Sequence, residues 1–331
     1  MELIAYILLI LLATLTLLTE SKLLYKVFFI PSVFAFMIIV RFSGFDKDII
    51  NYASELHSTG IDLYYLREFV FWFGSRIVYF FTQDEILAFL LMDIIWISMM
   101  VKIGNRLSGF NSKNINNAFL VIIVTSFPFV LGFENIYRQF FATIFALMSY
   151  SMLNKQKSRA LLFFLMAFFM HNIIALLIPI FFVKKLYHFN LSDRIQIALS
   201  ISLFFVVSLT FLVKLKSFEI TGVNLGVFYL LIFVALLIIG LIMFKNNIYV
   251  LFEKIPSLFF IVILMTGLVA LNIDMIAERL GMMFICFVSY DLFKYSAEIE
   301  NKGMRSILRV VLMLLFSLPT LFFENARNFL L

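Results

Sequence analysis

Charged residues are scarce in this chain of 331 residues: Asp, Glu, Lys and Arg make up only 14% of it, whereas hydrophobic residues make up 63%. A soluble domain carries about 25% charged and about 45–50% apolar residues, so soluble classes of protein are excluded. The apolar residues form long unbroken runs, which are typical of membrane-spanning helices and not of the alternating strands of a barrel. The composition therefore predicts an all-α, polytopic helical membrane protein.

Cysteine and histidine are also scarce. Cys286 is the single cysteine, so an internal disulfide and a cysteine-based metal site are excluded. The three histidines lie far apart, which disfavours a metal site. The sequence contains no Walker loop, Rossmann glycine pattern or HExxH motif. No A-x-A cleavage site follows the first apolar run, so we expect that run to be a retained span.

Apolar runs of about 20 residues predict about 11–12 membrane helices in one domain, residues 1–331. Single spans are expected at about 3–19, 27–40, 86–103, 116–133, 136–153, 195–213, 225–244, 256–273, 277–293 and 306–323. A polar segment from Arg41 to about Glu85 separates the second span from the third and includes a helical piece near 60–81. Its apolar part, 69–81, is about 13 residues long and contains Arg76, so we expect a periplasmic, interfacial or re-entrant helix there.

The apolar run 160–183 has two interpretations, a single crossing or a broken hairpin with its tip at His171 and Asn172. With the hairpin, nine later basic residues fall in cytoplasmic loops and four in outer loops, whereas a single crossing swaps the two sets. Because basic residues favour cytoplasmic loops, we predict the hairpin. This topology puts His171 at membrane depth and the turns near Arg138 and Arg279 on the outer side. Basic loops also account for the net charge of +6, which does not indicate a nucleic-acid partner.

Polar side chains at membrane depth are costly, so they mark functional sites by default. Arginine binds phosphate or carboxylate through two parallel hydrogen bonds, and histidine can accept a proton near neutral pH. A set with both residue types suits a phosphorylated lipid and a hydroxyl nucleophile. The candidates on the predicted outer side are Asp46, Tyr52, Arg67, Glu68, Arg138, Gln139, His171, Asn172 and Arg279.

Structural roles are the alternative for each candidate. Arg138 can anchor its helix at the membrane interface or pair with Glu134, one helical turn earlier. His171 can be a buried histidine that is hydrogen-bonded to a carbonyl group. Arg279 can pair with an acidic neighbour in its own segment, and Asp46 can be solvated in its polar loop.

Two segments carry a resemblance to a known family. An Arg-Gln pair opens an apolar helix in Asn-Ile-Tyr-Arg-Gln at 135–139, a basic turn follows, and the next apolar run ends in Phe-Phe-Met-His-Asn at 168–172. This pattern resembles the EpsG-like branch of Wzy-type polysaccharide polymerases. Weaker similarities extend it over about residues 40–290, through Asp46, Tyr52 and Glu68 upstream and Ala277-Glu278-Arg279 downstream. The chain departs from the usual pattern in having Asn172 after the histidine and no proline after Glu68.

The resemblance implies a bacterial inner-membrane glycosyltransferase with its active site facing the periplasm. It would join undecaprenyl-diphosphate-linked oligosaccharide repeat units into O-antigen or capsular polysaccharide, with membrane lipid and a chain-length regulator protein as further partners. Arg138 and Arg279 are expected at the diphosphate, and His171 is expected to be the base, with Asp46 competing for that role. Neither a metal nor another cofactor is expected. The predicted substrate-binding residues are Gln139, Tyr52, Arg67, Glu68 and Asn172.

Two other functions fit parts of the same pattern. A flippase or transporter of the lipid-linked oligosaccharide would also combine many helices with a broken helix. It should show internal repeats and basic residues deep within several spans, and the sequence shows neither. A membrane acyltransferase that modifies polysaccharide would also use a membrane histidine, and entry of an acyl chain would distinguish it.

Overall fold

The structure is a computed structural model, and it confirms the predicted polytopic all-α membrane fold. In the described part of the chain, five helices are long and apolar enough to cross a membrane. Two further helices, Ile248–Lys254 and Pro256–Ala270, are long enough together but are bent by 101° at a short break. The residues described are 1–45, 47–58, 60, 65–66, 68–107, 118–153, 156–185, 193, 196–197, 201, 225–244, 247–322 and 330.

The helices form two compact units. The first unit comprises Met1–Ala175 and Ser296–Leu331, and the second comprises Leu176–Tyr295. The helices of the first unit are α1 (Glu2–Thr19), α2 (Ile30–Ser43, after a π-helical turn at Leu24–Phe29), α3 (Lys47–Leu56), α4 (Phe69–Thr82), α5 (Glu85–Leu107), α6 (Ala118–Val124), α7 (Phe127–Glu134), α8 (Tyr137–Met152), α9 (Lys157–Met170) and α15 (Lys302–Phe322). Those of the second unit are α10 (Ile178–Lys185), α11 (Leu225–Met243), α12 (Ile248–Lys254), α13 (Pro256–Ala270) and α14 (Asp274–Ser296, whose last residue belongs to the first unit).

Helix α8 is the centre of the first unit, and nearly all of its side chains are buried. It packs along α9 and also contacts α5 and α7. Gly132 of α7 allows a close approach, because a Cβ atom there would lie 2.4 Å from the ring of Phe140 in α8. In the second unit, α13 packs against α10, α11 and α12.

The predicted span at 116–133 is wrong as a single helix, because the chain breaks between α6 and α7. The hydroxyl groups of Thr125 and Ser126 hydrogen-bond to carbonyl oxygens of the preceding turn. Pro128 then lies in the first turn of α7, where its missing N–H costs nothing. The predicted span at 195–213 lies outside the described residues except for 196–197 and 201.

The run 160–183 is broken at the predicted position. Helix α9 ends at Met170, and His171 has extended backbone angles of φ −159° and ψ 126°. A 3₁₀ helix, Asn172–Leu177, then leads into α10. That the two halves return to one side of the membrane stays a prediction.

The polar segment contains the short apolar helix that was predicted, here α4. Its 14 residues reach about 21 Å, which is less than the ~30 Å hydrocarbon core. The segment begins later than predicted, because α2 continues to Ser43. Arg41, expected in the polar segment, is therefore a core residue with 1% exposure.

Candidate active site

Four segments of the first unit bring polar and aromatic side chains together beside the start of α8. Tyr52 comes from α3, Glu68 precedes α4, Arg138 lies in the first turn of α8, and His171 follows the end of α9. The packing of α4 against both α3 and α9 joins these segments. The structure thus brings together four of the nine residues predicted from the sequence.

Arg138 and Glu68 form the central ion pair. Nη1 of Arg138 donates to Oε2 of Glu68 at 2.5 Å, and the two side chains are only 14% and 9% exposed. A cation in the first turn of a helix is disfavoured by the helix dipole, whereas an anion is favoured there. The carboxylate of Glu68 compensates for the charge of Arg138, and an anionic ligand would do the same.

Two aromatic rings also pack against the guanidinium of Arg138. Its Cζ atom lies 4.8 Å from the centre of the Tyr52 ring and 5.0 Å from that of Trp72. The two rings also contact each other edge to face, with centroids 6.1 Å apart. Cation–π contacts strengthen where water is excluded, so the two rings favour this position of the charge in addition to its carboxylate partner.

His171 faces the same carboxylate. Its Nδ1 atom lies 3.8 Å from Oε1 of Glu68. The same nitrogen accepts a hydrogen bond from the backbone N–H of Ile173 at 3.2 Å. An accepting Nδ1 places the proton of the neutral imidazole on Nε2. The side chain is 18% exposed, so part of it is accessible.

The remaining predicted residues have different surroundings. Gln139 is buried in the first turn of α8, and Asn172 opens the 3₁₀ helix beside His171. Arg279 is half-buried in the second turn of α14, which belongs to the second unit. Asp46 and Arg67 lie outside the described residues.

The sequence did not predict a buried polar cluster that adjoins the site through Tyr137. Arg41 donates to both carboxylate oxygens of Asp93, from Nε at 2.8 Å and from Nη2 at 3.1 Å. The indole N–H of Trp96 and the hydroxyl of Tyr137 also donate to Oδ1 of Asp93, at 3.1 and 2.8 Å. The guanidinium of Arg41 lies 3.9 Å from the centre of the Phe133 ring. Since Tyr137 precedes Arg138, this cluster ties the start of α8 to α2 and α5.

The sequence did contain a signal for this cluster. Asp93 stands in the middle of the apolar run Ile86–Val101, at a depth where a carboxylate requires a partner. Arg41 lies at the end of another apolar run, where its charge likewise requires a partner.

Arg76 and Tyr65 hold the C-terminal end of α3 against α4. Arg76 donates to the backbone carbonyls of Glu55 and Gly60 at 3.3 and 2.9 Å, and its guanidinium lies 4.5 Å from the centre of the Tyr65 ring. The hydroxyl of Tyr65 donates to the carboxylate of Glu55, which raises the pKa of Tyr65 above its ordinary value. These contacts keep Tyr52, one turn before Glu55 in α3, in position beside Arg138.

The arrangement combines a fixed cation, a carboxylate and an imidazole at one partly exposed point. The cation can neutralise a phosphorylated group, and the imidazole can exchange a proton with a hydroxyl. Within the described residues, no group of three or more His, Cys, Asp and Glu side chains is arranged to hold a metal ion.

Comparison with known proteins adds one match. The family model described as EpsG family matches residues 23–330, which include every residue of the site. No curated protein and no solved structure matches the chain.

Proposed function

The chain belongs to the EpsG family, and from this premise we propose that it is a polysaccharide polymerase of the bacterial inner membrane. The family and the polytopic helical fold fit a membrane protein of polysaccharide biosynthesis with a glycosyltransferase-like activity. In the proposed reaction, a growing chain is transferred from undecaprenyl diphosphate to a new lipid-linked repeat unit. The reaction takes place at the periplasmic face.

The observation that carries this proposal is the cluster of Glu68, Arg138 and His171. Transfer of a sugar from a lipid diphosphate releases a diphosphate, whose developing charge requires a preorganised cation. Arg138 is such a cation, packed against two rings in a site that is largely shielded from water. The attacking hydroxyl must lose a proton, and His171 lies next to the same carboxylate as Arg138.

Other residues have supporting roles in this proposal. Gln139 and Asn172 follow the two principal residues in the chain and would orient sugar or phosphate oxygens. Arg279 would add a second cation at the diphosphate. Asp46 is the competing candidate for the base, and Tyr52 and Arg67 complete the substrate site.

Surface polysaccharide in a deletion strain tests the function. Cells without the gene should export single repeat units but no long chains, and the wild-type gene should restore the long chains. Arg138→Ala should fail to restore them at equal protein level. Arg159→Ala removes an exposed arginine of α9 and should restore them fully, as the matched control. Loss of the exported single units as well would contradict a polymerase and indicate a flippase.

A further inference from the structure

We propose that Glu68 is a positioning residue that turns His171 into a base only when a lipid diphosphate replaces Glu68 on Arg138. This inference rests on the proposed function for its substrate, a diphosphate joined to a lipid. It adds an order of events to that function, because binding of the donor prepares the base. It follows from three contacts that share one carboxylate and one imidazole.

Without a ligand, His171 is in the wrong tautomer to act as a base at its outer nitrogen. The N–H of Ile173 donates to Nδ1 at 3.2 Å, so the neutral ring carries its proton on Nε2. A nitrogen that already carries a proton cannot accept one from a sugar hydroxyl. The base-competent tautomer has the proton on Nδ1 and a lone pair on Nε2, and its Nδ1–H needs an acceptor.

Glu68 supplies an acceptor near Nδ1 of His171. Its Oε1 lies 3.8 Å from Nδ1 of His171, while its Oε2 accepts from Arg138 at 2.5 Å. The strong bond to Arg138 therefore holds the carboxylate about 1 Å short of hydrogen-bonding distance from the imidazole.

A diphosphate that binds Arg138 would make His171, and not Arg138, the preferred partner of the Glu68 carboxylate. It carries more negative charge than one carboxylate and matches the planar guanidinium of Arg138. The rings of Tyr52 and Trp72 keep the guanidinium in place while its partner is exchanged. The displaced carboxylate of Glu68, repelled by the diphosphate, then gains a charge-assisted bond from Nδ1–H of His171. That bond outweighs the neutral bond from Ile173 that the ring gives up.

The chemical step then balances without another reactant. The acceptor hydroxyl gives its proton to Nε2 of His171, and its oxygen forms the new bond to the anomeric carbon of the donor. The bond from that carbon to the diphosphate oxygen breaks, and its electron pair leaves with the diphosphate on Arg138. The imidazolium is neutralised by Glu68 and later releases its proton to water.

The tautomer can be measured directly by ¹⁵N NMR of histidine-labelled protein in detergent. The signals of His171 are assigned from their loss in His171→Gln, and farnesyl diphosphate is the probe. In the wild-type protein, His171 should be protonated on Nε2 without the probe and on Nδ1 at saturation. Glu68→Gln should bind the probe but keep the Nε2–H form. Glu68→Asp should recover part of the shift, and Arg159→Ala should behave like the wild type.

Steady-state rates of polymer formation supply the second readout. A carboxylate that only holds the fold would, when lost, lower the amount of protein and leave the rate per molecule unchanged. A positioning carboxylate should instead, in Glu68→Gln, lower kcat about 10²–10⁴-fold with little change in KM.

The outcomes separate this inference from the proposed function. The inference is wrong, even when polymer is made, if His171 of the wild-type protein keeps its Nε2–H form at saturating probe. It is also wrong if the wild-type protein does not bind the probe at all. A shift in Glu68→Gln equal to that in the wild type overturns it as well. A shift that occurs as expected in a protein that makes no polymer supports the inference and contradicts the proposed function.

Discussion

The guanidinium of Arg138 contacts the carboxylate of Glu68 and lies 4.8 and 5.0 Å from the centres of the Tyr52 and Trp72 rings. Arg138→Lys keeps the charge but loses the planar fork and the stacking. We therefore expect Arg138→Lys to make little polymer, with protein levels equal to those of the wild type. Chain length of the surface polysaccharide is the measurement. Long chains from Arg138→Lys would show that Arg138 is an interfacial anchor.

His171 is the residue whose chemistry an amide cannot reproduce. Glutamine can keep one hydrogen bond of the imidazole, but it cannot accept a full proton near pH 7. We expect His171→Gln to insert normally and to yield only single repeat units, with the rate lowered about 10²–10⁴-fold.

His57→Gln is the matched control for this change. Nε2 of His57 lies 2.6 Å from Oε1 of Glu85, and the side chain is 52% exposed. This variant should keep long chains. Near-normal polymer from His171→Gln would instead move the role of base to Asp46.

The sequence predicted single polar residues better than their partners. His171 stood out because it interrupts an apolar run at membrane depth, and Arg138 stood out because it opens an otherwise apolar helix. Their link through Glu68 was not predictable, because Glu68 and Arg138 are 70 positions apart and meet only through the packing of α4 on its neighbours. Glu134, the nearer candidate, is not the partner in the observed ion pair.

At the scale of helices, Asp93 joins three elements through one side chain. It accepts hydrogen bonds from Arg41 of α2, Tyr137 of α8 and Trp96 of its own helix, α5. Asp93→Leu would leave the guanidinium of Arg41 buried without its counter-charge, which costs about 3–5 kcal/mol. We expect a lower unfolding temperature in detergent.

A double variant tests that explanation. Arg41→Met with Asp93→Leu removes both charges, so it should be more stable than Asp93→Leu alone. Glu253→Leu, at an exposed position of α12, is the control and should change the unfolding temperature little. A double variant no more stable than the single one would show that hydrogen bonds to Trp96 and Tyr137, and not the charge, dominate.

The lengths of apolar runs predicted the helices well, but they did not predict every break. The pattern gave α1, α5, α11, α13 and α15 to within a few residues. It missed the break at Thr125 and Ser126 because the apolar residues on both sides of them read as one continuous run. The carbonyl of Thr125 at the break is satisfied by the hydroxyl of Tyr6, at 2.6 Å and 119 positions away. Such a distant partner is visible only after folding.

At the scale of the whole chain, Glu20 connects the end of α1 to α15 through hydrogen bonds and ion pairs. Its two oxygens accept from Arg305 at 2.7 Å each, and Oε1 also accepts from Arg309 at 3.1 Å. Burial by itself would raise the pKa of Glu20, but the bonds and charges of Arg305, Arg309 and Lys302 hold that pKa below its ordinary value.

A lowered pKa in the folded state means that Glu20 stabilises the fold above the ordinary pKa of a glutamate, about 4.3, and that this contribution is lost as the pH falls through the folded-state value. We expect Glu20→Gln to unfold at a lower temperature than the wild type at pH 7, and the difference should shrink towards pH 3. Glu300→Gln, at an exposed position, is the control and should match the wild type at both values. An equal deficit at pH 7 and pH 3 would show that shape, and not charge, is lost in Glu20→Gln.

The topology decides which residues can share one face of the membrane. The break at His171 makes two short segments of the run 160–183, and the distribution of basic residues favours their return to the same side. In that arrangement, the turns near Arg138 and Arg279 both face the periplasm. A single crossing would put Arg279 on the cytoplasmic side and remove it from the proposed diphosphate site.

Alkaline phosphatase fusions distinguish the two topologies, because the enzyme needs disulfides that form in the oxidising periplasm and not in the cytoplasm. We expect a fusion after Lys185 to be inactive and one after Asp274 to be active. Fusions of a fluorescent protein that folds only in the cytoplasm, made at the same two positions, are the control and should give the opposite result. An active fusion after Lys185 together with an inactive one after Asp274 would mean that the run 160–183 crosses once. His171 and Arg138 would then keep their contacts with Glu68, but Arg279 could not act on the same diphosphate.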